Sequence, residues 1–276
     1  MKIMAVNAGS SSLKFQLLEM PEELVIASGL VERIGYDNAV FTIKFDGDKT
    51  SETLEVLDHK KAVDLVLNGL LKHKTIKSID EIKGVGHRVV QGGELFKHPS
   101  IITDKMVETV RSLNDLAPLH NPANIMGIEA FRKVLPDVIQ VAVFDTTFHQ
   151  TMKEDAYLYS TPYEWYQKYG IRKYGFHGTS HQFVSERAYA LLGNPDAKII
   201  VCHLGNGASL CAIDGGKSVD TSMGLTPLEG IPMGTRSGNV YPAMLALVAE
   251  KEDRSMLDVL DDLNNKSGYL GVSGFS

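Results

Sequence analysis

Apolar and polar positions fall in short blocks along the chain, and each block predicts an element. Residues 3–6 form a brief apolar run that reads as a buried strand. Asn7-Ala8-Gly9-Ser10-Ser11-Ser12 is small and polar and reads as a turn. Residues 13–17 alternate as a return strand, so the chain opens on a hairpin. Residues 25–33 and 40–45 predict further strands. Residues 60–71 place Ala62, Val63, Leu65, Val66, Leu67 and Leu70 on one helical face. Residues 83–90 return to strand. Residues 103–113 predict a helix capped by Thr103. Asn121-Pro122 reads as the cap and first turn of another helix. Residues 138–144 are an apolar strand that ends at Asp145.

The second half begins the scheme again. Residues 198–203 predict a strand, Leu204-Gly205-Asn206-Gly207 a glycine-rich turn, and residues 208–213 the return strand, closed by Asp214-Gly215-Gly216. Both hairpins leave their turn through Ser-Leu, at Ser12-Leu13 and at Ser209-Leu210. The pattern predicts two similar lobes, 1–150 and 151–276, with no Pro- or Ser-rich linker between them.

Composition narrows the class. The chain has 276 residues, 43% hydrophobic and 22% charged, which excludes a disordered polypeptide. Lys+Arg is 28 and Asp+Glu 34, a net charge of −6, which disfavours a dedicated nucleic-acid binder but leaves room for a local basic pocket. No apolar run approaches the ~18 residues of a spanning helix, and the start lacks the apolar core of a signal peptide. The expectation is a cytoplasmic α/β protein away from membranes, with Cys202 and Cys211 both reduced.

Several segments offer chemistry, each with a plainer alternative. Successive N–H groups in the turn 7–12 make an anion nest, with Lys14 nearby, although the Gly-x4-Gly-Lys spacing of a P-loop is absent. An ordinary hairpin turn is the alternative. Arg88 leaves a strand towards Gly92-Gly93 and suits a two-pronged bond to a carboxylate or phosphate; a surface ion pair is the alternative. His120 precedes a helix start, where it is equally a capping or core residue. Asp145 ends a strand, the usual place for a ligand or metal site in α/β folds, or caps a turn. His177 and His181 are four apart, but Gly178 argues against a helix covering both. Thr179 or Ser180 is then the expected helix cap, His177 a loop residue and His181 structural. No nucleophile elbow supports a serine hydrolase. Residues 220–239 form a long glycine-rich connection in which Arg236, between small neighbours, is expected to project unshielded.

Taken in order, Asn7-Ala8-Gly9-Ser10-Ser11-Ser12-Leu13-Lys14, Gly86-His87-Arg88-Val89-Val90, Pro118-Leu119-His120-Asn121-Pro122-Ala123-Asn124, Phe144-Asp145-Thr146, Tyr174-Gly175-Phe176-His177-Gly178-Thr179-Ser180-His181, His203-Leu204-Gly205-Asn206-Gly207 and residues 220–238 resemble the acetate/propionate/butyrate kinase family. The resemblance implies a duplicated, two-lobed α/β fold of the actin-like ATPase type, with nucleotide in the cleft. It implies transfer of the ATP γ-phosphoryl group to acetate, giving acetyl phosphate and ADP, by a homodimer with Mg²⁺. By the same resemblance Arg88, His120, Asp145, His177 and Arg236 are catalytic, and Arg88 with Val90, Leu119, Phe176 and Pro227 contacts acetate. Ser10, Ser12, Lys14, His203, Leu204, Gly205, Asn206 and Gly207 face the ATP phosphates, and Asn7 and Asp145 hold the metal. Gln91 stands where the family commonly has His, and Asn239 and Tyr241 where Asp is common. Family members also continue past Ser276, so a truncated second lobe and little turnover are expected. An actin-like nucleotide switch, an inert folded fragment and a propionate- or butyrate-preferring kinase are the rival readings.

Overall fold

The opening hairpin forms with the expected partners. In the computed structural model, which describes residues 1–276, β1 (Lys2–Ala8) runs antiparallel to β2 (Ser12–Glu19), pairing Asn7 with Lys14. β3 (Leu24–Glu32) and β4 (Tyr36–Phe45) continue the meander, followed by β5 (Asp48–Val56), which the sequence pattern did not predict. Only Val56 of β5 is buried, so no alternation marks it as a strand. α1 (His59–Lys72) starts where the Asp58 carboxylate accepts from the Lys61 amide at 2.8 Å. β6 (Ile82–Val89), the two-residue β7 (Ser100–Ile101), α2 (Asp104–Arg111), α3 (Asn121–Val134) and β8 (Ile139–Phe144) complete the first unit.

One eight-stranded sheet results, in the order β5-β4-β3-β2-β1-β6-β8-β7. β1, β6 and β8 are parallel, so their carboxyl ends share one edge. The main core joins Met4, Leu13, Phe15 and Leu17 of the sheet to Val63, Val66 and Leu70 of α1. A second cluster holds Val89, Phe96, Met106, Val110, Ile125 and Phe144. α3 lies close on β1: a Cβ at Gly127 would stand 2.3 Å from the Ala8 Cβ, so that position takes only glycine. Thr103 caps α2 as expected, accepting from Met106 at 3.2 Å. The cap of α3 is His120 rather than Asn121, because the Asn121 side chain is committed elsewhere.

The chain divides after Phe144, so the second unit begins at Asp145 rather than near residue 150. It contains α4 (Glu154–Tyr157), α5 (Tyr163–Tyr169), α6 (Gly178–Leu192), β9 (Lys198–Leu204), β10 (Ala208–Asp214), β11 (Lys217–Thr221), α7 (Pro242–Glu252), α8 (Met256–Asn265) and α9 (Gly268–Ser273). The second hairpin forms as β9 and β10, and β11 extends it to three antiparallel strands. Val201, Cys211 and Ile213 form its small core with Phe148 and Tyr189. α6 begins at Gly178, two or three residues earlier than a Thr179 or Ser180 cap implies. Its cap is His177, in the left-handed region at φ 56°. Both cysteines are unbridged, and no helix is long and apolar enough to cross a membrane.

Candidate functional site

In the first unit the candidate residues gather where β1 and β6 end. The turn after β1 is closed by the Gly9 amide donating to the Ser12 carbonyl at 2.8 Å. His59 Nε2 hydrogen-bonds the Gly9 carbonyl at 2.7 Å. Two amides from the first turn of α3 then fasten the strand exits together. Asn124 donates to the Ala8 carbonyl at 2.7 Å and accepts from the Val90 amide at 3.0 Å. Asn121 accepts from the Gln91 amide at 3.1 Å and returns a bond to its carbonyl at 3.0 Å. The sequence marks Asn121 only as a helix cap and Asn124 only as part of the Pro118–Asn124 motif, and neither as a strand tie; both stand at the N-terminal turn of a proline-opened helix, where free amides are most useful.

That frame carries Asn7 and Arg88, both half-buried near the ends of their strands. His120 is half-buried at the cap of α3. Of the expected acetate contacts in this unit, Val90 is buried while Leu119 is 79% exposed. Ser10 and Lys14 are exposed and Ser12 half-buried. Gln91 is fully buried; its Oε1 accepts from Gly93 at 2.8 Å and its Nε2 has no partner.

The second unit assembles its candidates around the start of α6. Asp145 is buried, and its carbonyl accepts from the Gly178 amide at 2.8 Å. A Cβ at Gly178 would stand 2.2 Å from that oxygen, so the glycine that seemed to break the helix is what lets it dock. The preceding His177 turns its Nδ1 to the Ser209 hydroxyl at 2.9 Å and stacks on His203, ring centres 4.0 Å apart. Ser180 and His203 Nδ1 hydrogen-bond at 2.8 Å.

Gly207 brings the remaining parts into reach. A Cβ there would lie 3.3 Å from Arg236 Nη1 and 3.7 Å from His177 Nε2. Arg236 does not project unshielded: it is half-buried and donates to the Pro227 carbonyl at 3.1 Å. Burial lowers its pKa, with no charged neighbour acting on it, and a guanidinium stays protonated regardless. The turn is tied by Gly205 to the Gly207 carbonyl at 3.1 Å and by Gly234 to the Asn206 carbonyl at 3.1 Å. The loop bearing Arg236 is closed by reciprocal bonds between Gly230 and Asn239, each at 2.9 Å. His177, His203, Gly207, Pro227 and Arg236, spread over sixty residues of sequence, thus form one cluster.

Two buried histidines support it from behind. His149 Nε2 donates to the Phe176 carbonyl at 2.9 Å, and its Nδ1 accepts from Ser218 at 2.8 Å. This fixes the residue just before His177. Phe176 itself is buried. Desolvation pushes His149 down to about 4 and His181 down to about 3, so both rings are neutral. No three His, Cys, Asp or Glu side chains converge as a metal site. A cavity of ≈ 670 Å³ beside Ile101, Arg132, Pro136 and Ile139 contains none of the candidate residues.

The sequence matches the Acetokinase family over residues 2–276. An acetate kinase of Acholeplasma laidlawii is 67% identical over 277 residues, covering 100% of this chain and 70% of that protein. One from Chlorante-Aster yellows phytoplasma is 63% identical over 276 residues, covering 100% of this chain and 67% of that protein. The crystal structure of Porphyromonas gingivalis acetate kinase superposes with a TM-score of 0.95 at 46% identity, over 99% of this chain and 70% of that one. A propionate kinase from Francisella tularensis superposes with a TM-score of 0.94 at 42% identity, over the same shares.

Proposed function

The chain belongs to the acetokinase family, and on that premise we propose that Arg88, His120, Asp145, His177 and Arg236 carry its phosphoryl transfer. The reaction is that of an acetate kinase: the γ-phosphoryl group of ATP passes reversibly to acetate, giving ADP and acetyl phosphate. An acetate oxygen forms the new P–O bond while the bond to the ADP oxygen breaks. Acetate is already ionised at neutral pH, so no base is needed; what must be managed is the approach of two anions.

Cations and aligned N–H donors meet that requirement. Arg236 and His177 contact the transferring phosphoryl oxygens, and Arg88 holds the acetate carboxylate, with His120 beside it. Lys14, Ser10, Ser12 and residues 203–207 receive the ATP phosphates. Val90, Leu119, Phe176 and Pro227 contact the methyl group. The observation that carries this reading is Arg236: a half-buried guanidinium with no carboxylate partner, set against a glycine turn and His177.

Mg²⁺ fits the donor chemistry. The buried Asp145 and the amide oxygen of Asn7 are hard oxygen ligands, and Mg²⁺ characteristically takes one or two protein oxygens and completes its shell with water and phosphate. The ion would supply charge neutralisation of the phosphate oxygens. Propionate is a slower substrate in this reading, since one methylene changes binding by only ~1–3 kcal/mol; the likeness to a propionate kinase favours it. A homodimer and a cytoplasmic setting complete the proposal, the latter supported by the two unbridged cysteines.

Trapping acetyl phosphate as the hydroxamate tests the assignment. In a form of the enzyme with measurable turnover, Arg236→Ala should chiefly lower kcat, by about 10³. Arg88→Ala should also raise the KM for acetate. Lys at either position should fail to restore activity, because the two-pronged geometry is lost. Near-normal kcat and KM in both alanine variants would refute it.

A further inference from the structure

We propose that Ser209 is a positioning residue that passes a hydrogen bond from His181 to His177 and so fixes the His177 proton on Nε2. Ser209 is fully buried, and its single oxygen lies 2.9 Å from His177 Nδ1 and 2.7 Å from His181 Nε2. A hydroxyl carries one proton and two lone pairs. These two ring nitrogens are the only hydrogen-bond partners of the buried Ser209 oxygen, so its proton is spent on one of them and it accepts from the other.

His181 decides the direction. Its ring is fully buried and its Nδ1 has no partner. A proton on Nδ1 would leave a buried N–H orphaned, which folded proteins rarely tolerate; a bare lone pair there costs less. The His181 proton is accordingly on Nε2 and is donated to Ser209. The Ser209 proton then goes to His177 Nδ1, and the His177 proton is left on Nε2. Desolvation, together with the His149 and His203 rings, holds His181 neutral, in keeping with this order.

The Nε2–Cε1 edge of His177 faces Gly207, beside which Arg236 Nη1 also lies. The chain thus presents an N–H donor there from a neutral ring, with no need for an imidazolium. Neutrality also suits the stack on His203, where two charged rings 4.0 Å apart would repel. The tautomer stands on geometry alone; its bearing on turnover rests on the reading of His177 given above.

The test uses the chain labelled with ¹⁵N-histidine and long-range ¹H–¹⁵N correlation spectra. His177→Gln identifies the His177 signals by their loss. The unsubstituted chain should show His177 protonated on Nε2, and Ser209→Ala should convert it to a mixture of tautomers. In the hydroxamate assay Ser209→Ala should lower kcat about tenfold with the acetate KM nearly unchanged, the size expected when a partner that orients a working side chain is removed. His177 protonated on Nδ1 in the unsubstituted chain would overturn the proposal, and that spectrum decides even if Ser209→Ala does not fold. An unchanged tautomer in Ser209→Ala, or an unchanged kcat once the tautomer has shifted, would overturn it too. A His177→Ala variant of full activity would instead remove the catalytic role of His177 while leaving the tautomer assignment intact.

Discussion

His87, His149 and His181 are buried and neutral, and that makes each of them a liability in acid. Burial pushes His87 down to about 4, offset in part by Gln140 at 2.9 Å, and His149 and His181 lie as low or lower. In the unfolded chain a histidine titrates near 6.5. Between that value and about 4 the unfolded state binds more protons than the native one. The native state is then fully favoured above about pH 6.5, and its advantage is lost as pH falls through the window. Denaturant unfolding should show each of the three removing about 1–2 kcal/mol by about pH 5. A flat stability between pH 7 and 5 would contradict the burial. The sequence marks His181 as structural, in keeping with its burial, but gives no such sign for His87 or His149. Spacing cannot tell a solvated ring from one enclosed by distant strands. Arg236 shows the same limit: small neighbours in sequence suggested exposure, but the Pro227 carbonyl nine residues earlier covers it.

Elements were easier to read where one face is buried. The first hairpin, α1 and the three parallel strands carry apolar runs, alternation or a helical stripe, and Thr103 marks the cap of α2. The second hairpin was visible through the repeated Ser-Leu exit, which also marks Ser209, although its role was not inferred. β5 carries no alternation, being polar and exposed up to Thr53 with only Leu54 and Val56 packed inward, and Gly178 reads locally as a breaker, which displaces the expected start of α6. Only the close Asp145 carbonyl explains that glycine. The α3 amides are the same kind of long-range fact. Asn124→Ala would leave the Ala8 carbonyl and the Val90 amide buried without a partner. The expected cost is roughly 2–4 kcal/mol, one unsatisfied group at each strand exit. Chemical denaturation should report it as a lowered midpoint with unchanged slope; a midpoint within error of the parent would show that the two exits are held by other means.

On the scale of the molecule the two units are unequal in core. The first joins an eight-stranded sheet to α1 and α3, whereas the three-stranded sheet of the second buries Val201, Cys211 and Ile213, and α7 has no buried residue. Hydrogen exchange should therefore place β1, β6 and β8 near the global unfolding free energy and α7 well below it. Protection of α7 equal to that of β6 would contradict this. The fold class and the order of the motifs were legible because they rest on local pattern. The meeting of His177, Gly207 and Arg236 is legible only through the family resemblance, which sets all three on one reaction; local pattern does not carry it, since only the folded backbone brings those positions together. The large sheet has one further property, at its margins. One border is β7, two residues long; the other is β5, whose Asp48, Lys49, Glu52 and Glu55 are all exposed. A neighbouring chain seeking to add a strand would find too few amides at one border and would have to bury charge at the other. β5 contributes little to the core, yet in a crowded solution it keeps the sheet finite and the protein dispersed.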